Sequence, residues 1–143
     1  TGMKTLELRM LKKCINTIVF TRWLASNPLV TVSGPANPRD PNHATAARHF
    51  RKGDGFGGIL TFGVKGGLDA GKAVIDGVNI FSRLANVGDA KSLIIHPAST
   101  THAQLSAAER VTTGVTDDLI RLSVGLEHIE DLIEDLASAL EKA

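Results

Sequence analysis

The sequence predicts an α/β domain with α+β character, in which a small sheet of a few short strands is covered by helices. Short β-branched segments alternate with amphipathic segments of helical period, and glycine or proline separates most of them. With 143 residues, the chain is long enough to enclose one hydrophobic core. These patterns leave the order and the polarity of the strands open.

A long helix is predicted over residues 5–24, and Asn27-Pro28 ends it. Apolar side chains recur at helical spacing along one face: Leu8, Leu11, Ile15, Ile18 and Val19. Polar side chains fill the other face: Arg9, Lys12, Lys13 and Asn16. The helix is therefore expected to be amphipathic.

The remaining elements follow from the same two periodicities. Further helices are predicted over 43–50, 69–81, 106–111 and 127–140. Strands are predicted over 29–32, 59–64, 92–96 and 119–124. In the last helix, the side chains expected to point inward are Ile129, Leu132, Ile133, Leu136 and Leu140.

The composition argues against several classes of partner. A formal net charge of +1 gives no global field for nucleic acid, and the absence of tyrosine leaves few aromatic platforms for bases. No apolar run reaches the length of a membrane span. Cys14 is the only cysteine, so no internal disulfide can form and a cytoplasmic location is expected.

Three motifs resemble functional sites, but each lacks a feature that the site requires. Residues 53–58 match G-x-G-x-x-G, but a strand rather than a helix follows, which favours a glycine turn over a dinucleotide site. His96 and His102 lack the further ligands of a zinc site, and a triad of Ser99, His102 and Asp89 has no nucleophile elbow. His96 and the hydroxyls near it are expected to satisfy backbone groups at a turn.

Arg121 is the most informative residue. It lies within an apolar strand whose alternation puts Ile120 and Leu122 on one face and Arg121 with Ser123 on the other. A buried arginine requires an anionic partner, and its planar fork suits a carboxylate. An internal ion pair with an aspartate at 89, 117 or 118, or simple exposure, remains the alternative to a ligand.

The sequences of four segments resemble those of the Cys/Met-metabolism enzymes that use pyridoxal phosphate. The segments are 57–67 (GGILTFGVKGG), 84–93 (LANVGDAKSL), 96–102 (HPASTTH) and 119–127 (LIRLSVGLE). Within that family, Asn-Val-Gly from Asn86 onward is similar to the O-acetylhomoserine sulfhydrylase branch, whereas the lyase and cystathionine synthase branches tend to have Ser-Leu-Gly. The resemblance runs from about Leu6 to the C-terminus.

The resemblance implies a fold-type-I enzyme in which a large cofactor domain precedes a small C-terminal domain. Residues 1–25 correspond to the connecting helix and residues 26–143 to the small domain, so the large domain would be absent from this chain. The opening Thr1-Gly2, which is unlike a natural start, fits that expectation. The partners implied are the chain's own large domain and the other subunits of a tetramer.

The resemblance also implies an activity and a set of site residues. The parent enzyme would bind an amino-acid substrate and replace the acetate on its Cγ with sulfide, with pyridoxal phosphate as the electron sink. Arg121 would bind the substrate α-carboxylate, Asn86 would assist it, and Ser92 with the loop 98–102 would lie near the substrate.

The cofactor lysine of the family follows a Ser-x-x-Lys pattern that none of the eight lysines here matches. This chain is therefore expected to bind neither cofactor nor metal and to be inactive alone. A separated small domain should also expose an apolar patch. Two alternatives stay open: the same domain of a cystathionine synthase or methionine γ-lyase relative, and a stand-alone module that binds without catalysis.

Overall fold

Four short strands pair into one antiparallel sheet with the order β1-β2-β4-β3, so the last strand in the chain lies inside the sheet. The computed structural model describes residues 2–143. The strands are Val30–Ser33 (β1), Ile59–Val64 (β2), Leu93–Ile95 (β3) and Leu119–Ser123 (β4). The helices are Leu6–Ala25 (α1), His43–His49 (α2), Gly67–Gly77 (α3), Ala107–Thr112 (α4) and Ile129–Leu140 (α5). The predicted fold class is confirmed.

The hydrophobic core lies on one face of the sheet only. Leu60 and Phe62 of β2 and Ile120 and Leu122 of β4 are almost completely buried against side chains of α1, α3 and α5. Thr61, Gly63 and Arg121, which alternate with them, point to the opposite face and are half-buried, whereas Ser123 on that face is buried. The sheet therefore has one face covered by helices and one open face.

The apolar stripe predicted for α1 does not face the sheet. Leu8, Ile15 and Val19 are 70%, 58% and 38% exposed, whereas Phe20 and Leu24 enter the core completely. The other positions that this helix buries are mostly polar: Lys13, Cys14, Asn16, Thr17 and Thr21. The helix is thus rotated so that its polar side chains meet backbone groups of the domain and its apolar stripe is exposed.

Helix α3 ends earlier than predicted, at Gly77 instead of residue 81. The carboxylate of Asp135 in α5 accepts hydrogen bonds from the backbone N–H groups of Asn79 and Ile80, each at 2.8 Å, which takes these residues out of the helical pattern. Gly77 lets the two helices approach closely, because a Cβ there would lie 3.0 Å from the Cα of Ala139. Helix α5 keeps its predicted inward residues, with Leu132, Leu136 and Leu140 buried and Ile129 and Ile133 partly buried.

The glycine-rich segment 53–58 is a turn, as predicted. Gly53, Gly55 and Gly57 have φ values of +93°, +88° and +84°, in the left-handed region that glycine adopts at no steric cost. Strand β2 follows it directly. Among residues 2–143, no helix combines the length and the apolar character needed to cross a bilayer.

His96 ties the end of β3 to the beginning of β4. Its side chain is 1% exposed, its Nε2 lies 2.7 Å from the carbonyl oxygen of Asp117, and its Nδ1 lies 2.8 Å from Ser99 Oγ. Because a carbonyl only accepts, Nε2 carries the proton and Ser99 donates to Nδ1. The prediction that His96 and its neighbouring hydroxyls satisfy groups at a turn is confirmed.

Gly71 of α3 leaves the space that the His96 ring occupies, since a Cβ on Gly71 would lie 2.6 Å from Nε2. We predict that Gly71→Ala lowers the free energy of unfolding by about 1–3 kcal/mol through overpacking. Alanine normally stabilises a helix by about 1 kcal/mol relative to glycine, so the sign of the change is diagnostic. Urea unfolding measures it. In a His96→Ala background the same substitution should become neutral or stabilising, and a loss that persists there would contradict the explanation.

Candidate functional site

Arg121 occupies the centre of the open sheet face. In β4 it lies opposite Thr61 of β2 and Ile95 of β3. Its Nη2 donates a hydrogen bond to the backbone carbonyl of Asn86 at 3.3 Å, and its side chain is half-buried. The strand register thus brings the arginine and the segment that begins at Asn86 together, although 35 residues separate them.

Within residues 2–143, Arg121 forms no ion pair. The ion pairs in this part of the chain join Arg51 to Asp54, Arg83 to Asp76, and Arg110 to Asp117. Asp117, a candidate partner on the basis of sequence, is held by Arg110 at 2.7 Å. The internal ion-pair interpretation of Arg121 is therefore wrong. Its guanidinium keeps donors that are free to bind an added carboxylate.

Ser123 lies on the same face of β4, two residues beyond Arg121. It is 2% exposed, and its hydroxyl has no hydrogen-bond partner among the described residues. A buried hydroxyl without a partner costs free energy, so Ser123 is an unsatisfied polar group on the same side of β4 as Arg121.

Asn86 is exposed and reaches Arg121 through its backbone. Its side-chain Oδ1 accepts from the amide of Val87 at 2.8 Å, and its Nδ2 lies 3.4 Å from Asp89 Oδ2. The carbonyl is thereby directed to the arginine, whereas the side-chain amide shapes the turn. The structure brings the two predicted residues together, and their contact with a substrate stays a prediction.

Ser92 lies deeper than its predicted role requires. It is 0% exposed, and its Oγ donates to Glu127 Oε2 at 2.8 Å and accepts from the amide of Gly125 at 2.7 Å. Its own amide donates to Glu127 Oε1 at 2.7 Å. A direct contact with substrate stays a prediction, and it would require this turn to open. In the structure, Ser92 joins the start of β3 to the end of β4.

Helix α1 reaches the same region with two buried polar side chains. The Lys13 ammonium donates to the carbonyl of Asp89, and Asn16 Nδ2 donates to the carbonyls of Gly125 and Glu127 at 3.1 and 3.0 Å. Burial lowers the pKa of Lys13, and the nearby carboxylate of Asp89 offsets part of that effect. Beyond the polar character of one helix face, no sequence pattern indicates these contacts, because their partners are distant in the chain.

A cavity of about 440 Å³ adjoins the site. Its lining includes Leu84 and Ala85, which precede Asn86, together with Ile95 and Thr100. The loop 98–102 therefore borders a cavity next to Asn86. A triad is not formed there, since Ser99 Oγ bonds to His96 while His102 Nδ1 contacts Thr101 Oγ1. Arg121 is outside the lining, so the cavity is adjacent to the arginine and does not contain it.

The described residues do not fit a complete pyridoxal phosphate site. Seven of the eight lysines are exposed, and Lys13, which is buried, already donates to Asp89. The chain also contains no tyrosine that could stack on the cofactor ring. What the structure presents is an arginine on an open sheet face that forms no ion pair among the described residues.

Comparisons with known proteins identify the family of this chain. The sequence profile of the Cys/Met-metabolism PLP-dependent enzymes matches residues 1–141. An O-acetyl-L-homoserine sulfhydrylase of Thermus thermophilus is 47% identical over 140 residues, which are 97% of this chain and 33% of that protein. An L-methionine γ-lyase of Fusobacterium nucleatum is 40% identical over 142 residues, 99% of this chain and 35% of that protein.

A solved structure shares the fold. The crystal structure of a putative O-acetylhomoserine (thiol)-lyase from Campylobacter jejuni, which contains a pyridoxyl-lysine phosphate, superposes with a TM-score of 0.89 at 38% identity. The match covers 98% of this chain and 33% of that one. The chain thus spans about a third of the length of the relatives that it matches. With a family profile that covers nearly all of its residues, this chain belongs to the Cys/Met-metabolism family of PLP-dependent enzymes.

Proposed function

We propose that this chain is the small C-terminal domain of a pyridoxal-phosphate-dependent O-acetylhomoserine sulfhydrylase, and that Arg121 binds the α-carboxylate of its amino-acid substrate. Residues 1–25 would be the connecting helix and residues 26–143 the domain itself. The observation that carries the proposal is the guanidinium of Arg121, which lies on the open sheet face without a carboxylate partner among the described residues.

Arginine suits this role because its planar fork can donate two parallel hydrogen bonds to one carboxylate. A charge-assisted contact of this kind contributes about 1.5–3 kcal/mol. The contact orients the amino acid and leaves the bond-making chemistry to the cofactor, whose lysine and phosphate contacts would come from the large domain. The backbone carbonyl of Asn86, which Arg121 contacts at 3.3 Å, would lie next to the bound carboxylate.

The methionine γ-lyase relative supports a second candidate, in which the same domain serves elimination at Cγ. Both reactions use an amino-acid carboxylate, so Arg121 has the same role in each. The Asn-Val-Gly sequence that starts at Asn86 favours the sulfhydrylase, as does the higher identity to the Thermus protein. Comparing sulfide-dependent acetate release from O-acetylhomoserine with 2-oxobutyrate formation from methionine separates the two.

The exposed stripe of α1 supports a docking role for this helix. Leu8, Ile15 and Val19 lie on one face of a helix whose other face is fixed to the small domain. We propose that the large cofactor domain covers this stripe, since about two thirds of each relative's length lies outside the match. Apolar area of this kind is rarely left uncovered in a protein that functions alone.

We predict that Arg121→Lys, in an enzyme that carries the large domain, lowers kcat/KM for O-acetylhomoserine by about 10- to 150-fold, because lysine cannot form the bidentate contact. Steady-state kinetics measure the effect, which should fall mainly on KM. Arg48→Lys is the matched control, since Arg48 is exposed on α2. Equal kinetics for wild type and Arg121→Lys would rule out the carboxylate role.

We predict that the 143-residue chain alone forms no one-to-one, saturable adduct with pyridoxal phosphate, because its only buried lysine is already bonded to Asp89. Absorbance titration, borohydride reduction and peptide mapping test this. Scattered labelling of exposed lysines is consistent with the proposal. A visible band that saturates at one equivalent and disappears in Lys13→Met would show that the chain holds the cofactor itself.

We predict that the isolated chain self-associates through the α1 stripe and that Ile15→Lys shifts it towards monomer, because a charge placed there opposes burial of the stripe. Sedimentation velocity over a range of concentrations measures this. Val111→Lys is the control, since Val111 is 65% exposed on α4, and Ile15 is 58% exposed. A wild-type chain that stays monomeric at all concentrations would contradict the prediction.

A further inference from the structure

Lys13 is an unusual residue for the interior of this domain. It is 2% exposed, and the carbonyl of Asp89 is the one acceptor that its ammonium reaches among the described residues. An ammonium in water is fully hydrated, so burying it against one acceptor costs free energy that a methionine of similar length would not. Stability alone therefore does not account for a lysine at this position.

The surroundings of Lys13 fit its side chain closely. A Cβ on Gly58 would lie 3.3 Å from Lys13 Cε and 3.4 Å from the carbonyl oxygen of Val124, so glycine leaves space there for the lysine side chain. Gly58 is also bonded to the end of β4, since its carbonyl accepts from the amide of Val124 at 2.7 Å. The lysine side chain thus packs against Gly58, at the point where the start of β2 is bonded to the end of β4.

Asn16 fixes the same helix to the other side of the site. One turn beyond Lys13, its Nδ2 donates to the carbonyls of Gly125 and Glu127, while the Glu127 carboxylate holds Ser92 through two hydrogen bonds. These bonds fix the position of α1 relative to the segment 125–127 and, through Glu127, to Ser92. Lys13 is then the one α1 side chain that contacts the 86–89 segment by a hydrogen bond within the described residues.

A continuous set of contacts leads from Lys13 to Arg121. Asp89, whose carbonyl accepts from Lys13, has a side chain that accepts from the amide of Lys91 at 3.1 Å and lies 3.4 Å from Asn86 Nδ2. The carbonyl of Asn86 in turn accepts from Arg121 at 3.3 Å. Apart from these contacts the segment 84–88 is exposed, so few other groups restrain it.

We propose that Lys13 is a positioning residue, which holds the 86–89 segment through the carbonyl of Asp89 so that Asn86 and Arg121 keep the geometry that receives a substrate carboxylate. This inference rests on the proposed function of Arg121. It adds a residue of the connecting helix, outside the small domain itself, to the groups that set carboxylate affinity. Lys13 contacts no ligand in this arrangement and acts only through Asp89.

The test compares Lys13→Met, which keeps the length but removes the donor, with Lys12→Met on the exposed side of the same helix. In the ligand-free chain, amide hydrogen exchange at Val87 and Lys91 and the NMR signal of the Arg121 Nε–H report on the 86–89 segment. We expect faster exchange and a shifted arginine signal in Lys13→Met alone. Lys13→Gln keeps a donor and should recover part of the wild-type signal, and urea unfolding verifies that each variant folds.

Titration with L-2-aminobutyrate, followed by NMR, then measures carboxylate affinity. We expect Lys13→Met to weaken binding by roughly three- to tenfold, the loss that one intramolecular hydrogen bond corresponds to, and Lys12→Met to leave it unchanged. If wild type and Arg121→Lys bind equally, the proposed function of Arg121 fails. If Arg121 is needed for binding but Lys13→Met matches Lys12→Met, the positioning inference fails. Unchanged exchange at Val87 and Lys91 in Lys13→Met overturns the inference even without a ligand.

Discussion

Side-chain alternation in β4 is the constraint on which the rest of this structure depends. Ile120 and Leu122 must point into the core beneath the helices, so Arg121 between them must point to the open face. A register shift of one residue would exchange these faces and bury the guanidinium in the core, which is prohibitively costly. The hydrophobic core and the cationic site are thus specified by the same five-residue strand.

The polar groups near the open face come from segments that are distant in the chain and that the strand order brings together. Because β4 lies between β2 and β3, residues near the start of β3 reach the end of β4, and the turn that contains Glu127 closes over Ser92. Two acidic side chains near this face are already engaged, Asp117 with Arg110 and Glu127 with Ser92, while Asp118 lies over Gly63. Arg121 itself forms no ion pair among residues 2–143.

Much of this architecture could be predicted from the sequence. The strands are short enough for alternation to mark them, and Asn27-Pro28 and the glycines of 53–58 placed the boundaries near those observed. Helix α3 ends early because Asp135 captures two amides 55 and 56 residues away, which no local pattern encodes. The face that α1 buries could not be predicted from local sequence either, because the partners of Lys13 and Asn16 lie 76 and 109 residues further along the chain.

The candidate site was predicted unevenly for the same reason. Arg121 stood out because a charge within an apolar strand is visible locally, while its missing ion pair became known only from the structure. Glu127 was not singled out, because an acidic residue after a glycine turn has no local signature of the two bonds that it accepts. Family resemblance implies a carboxylate ligand for Arg121, and the structure shows that this residue has no ion pair among residues 2–143.

Lys13 and Asn16, one turn apart, attach α1 to the rest of the domain and thereby define its rotation about the helix axis. Advancing the helix by one residue turns it by about 100°, which would withdraw both Lys13 and Asn16 from their carbonyl acceptors. The hydrogen bonds of Lys13 and Asn16 thus fix the rotation of α1 about its axis, with the apolar stripe on another side of the helix. Under the role proposed for Lys13, a rotation of α1 would move the carbonyl of Asp89 and, through Asn86, change the contact with Arg121.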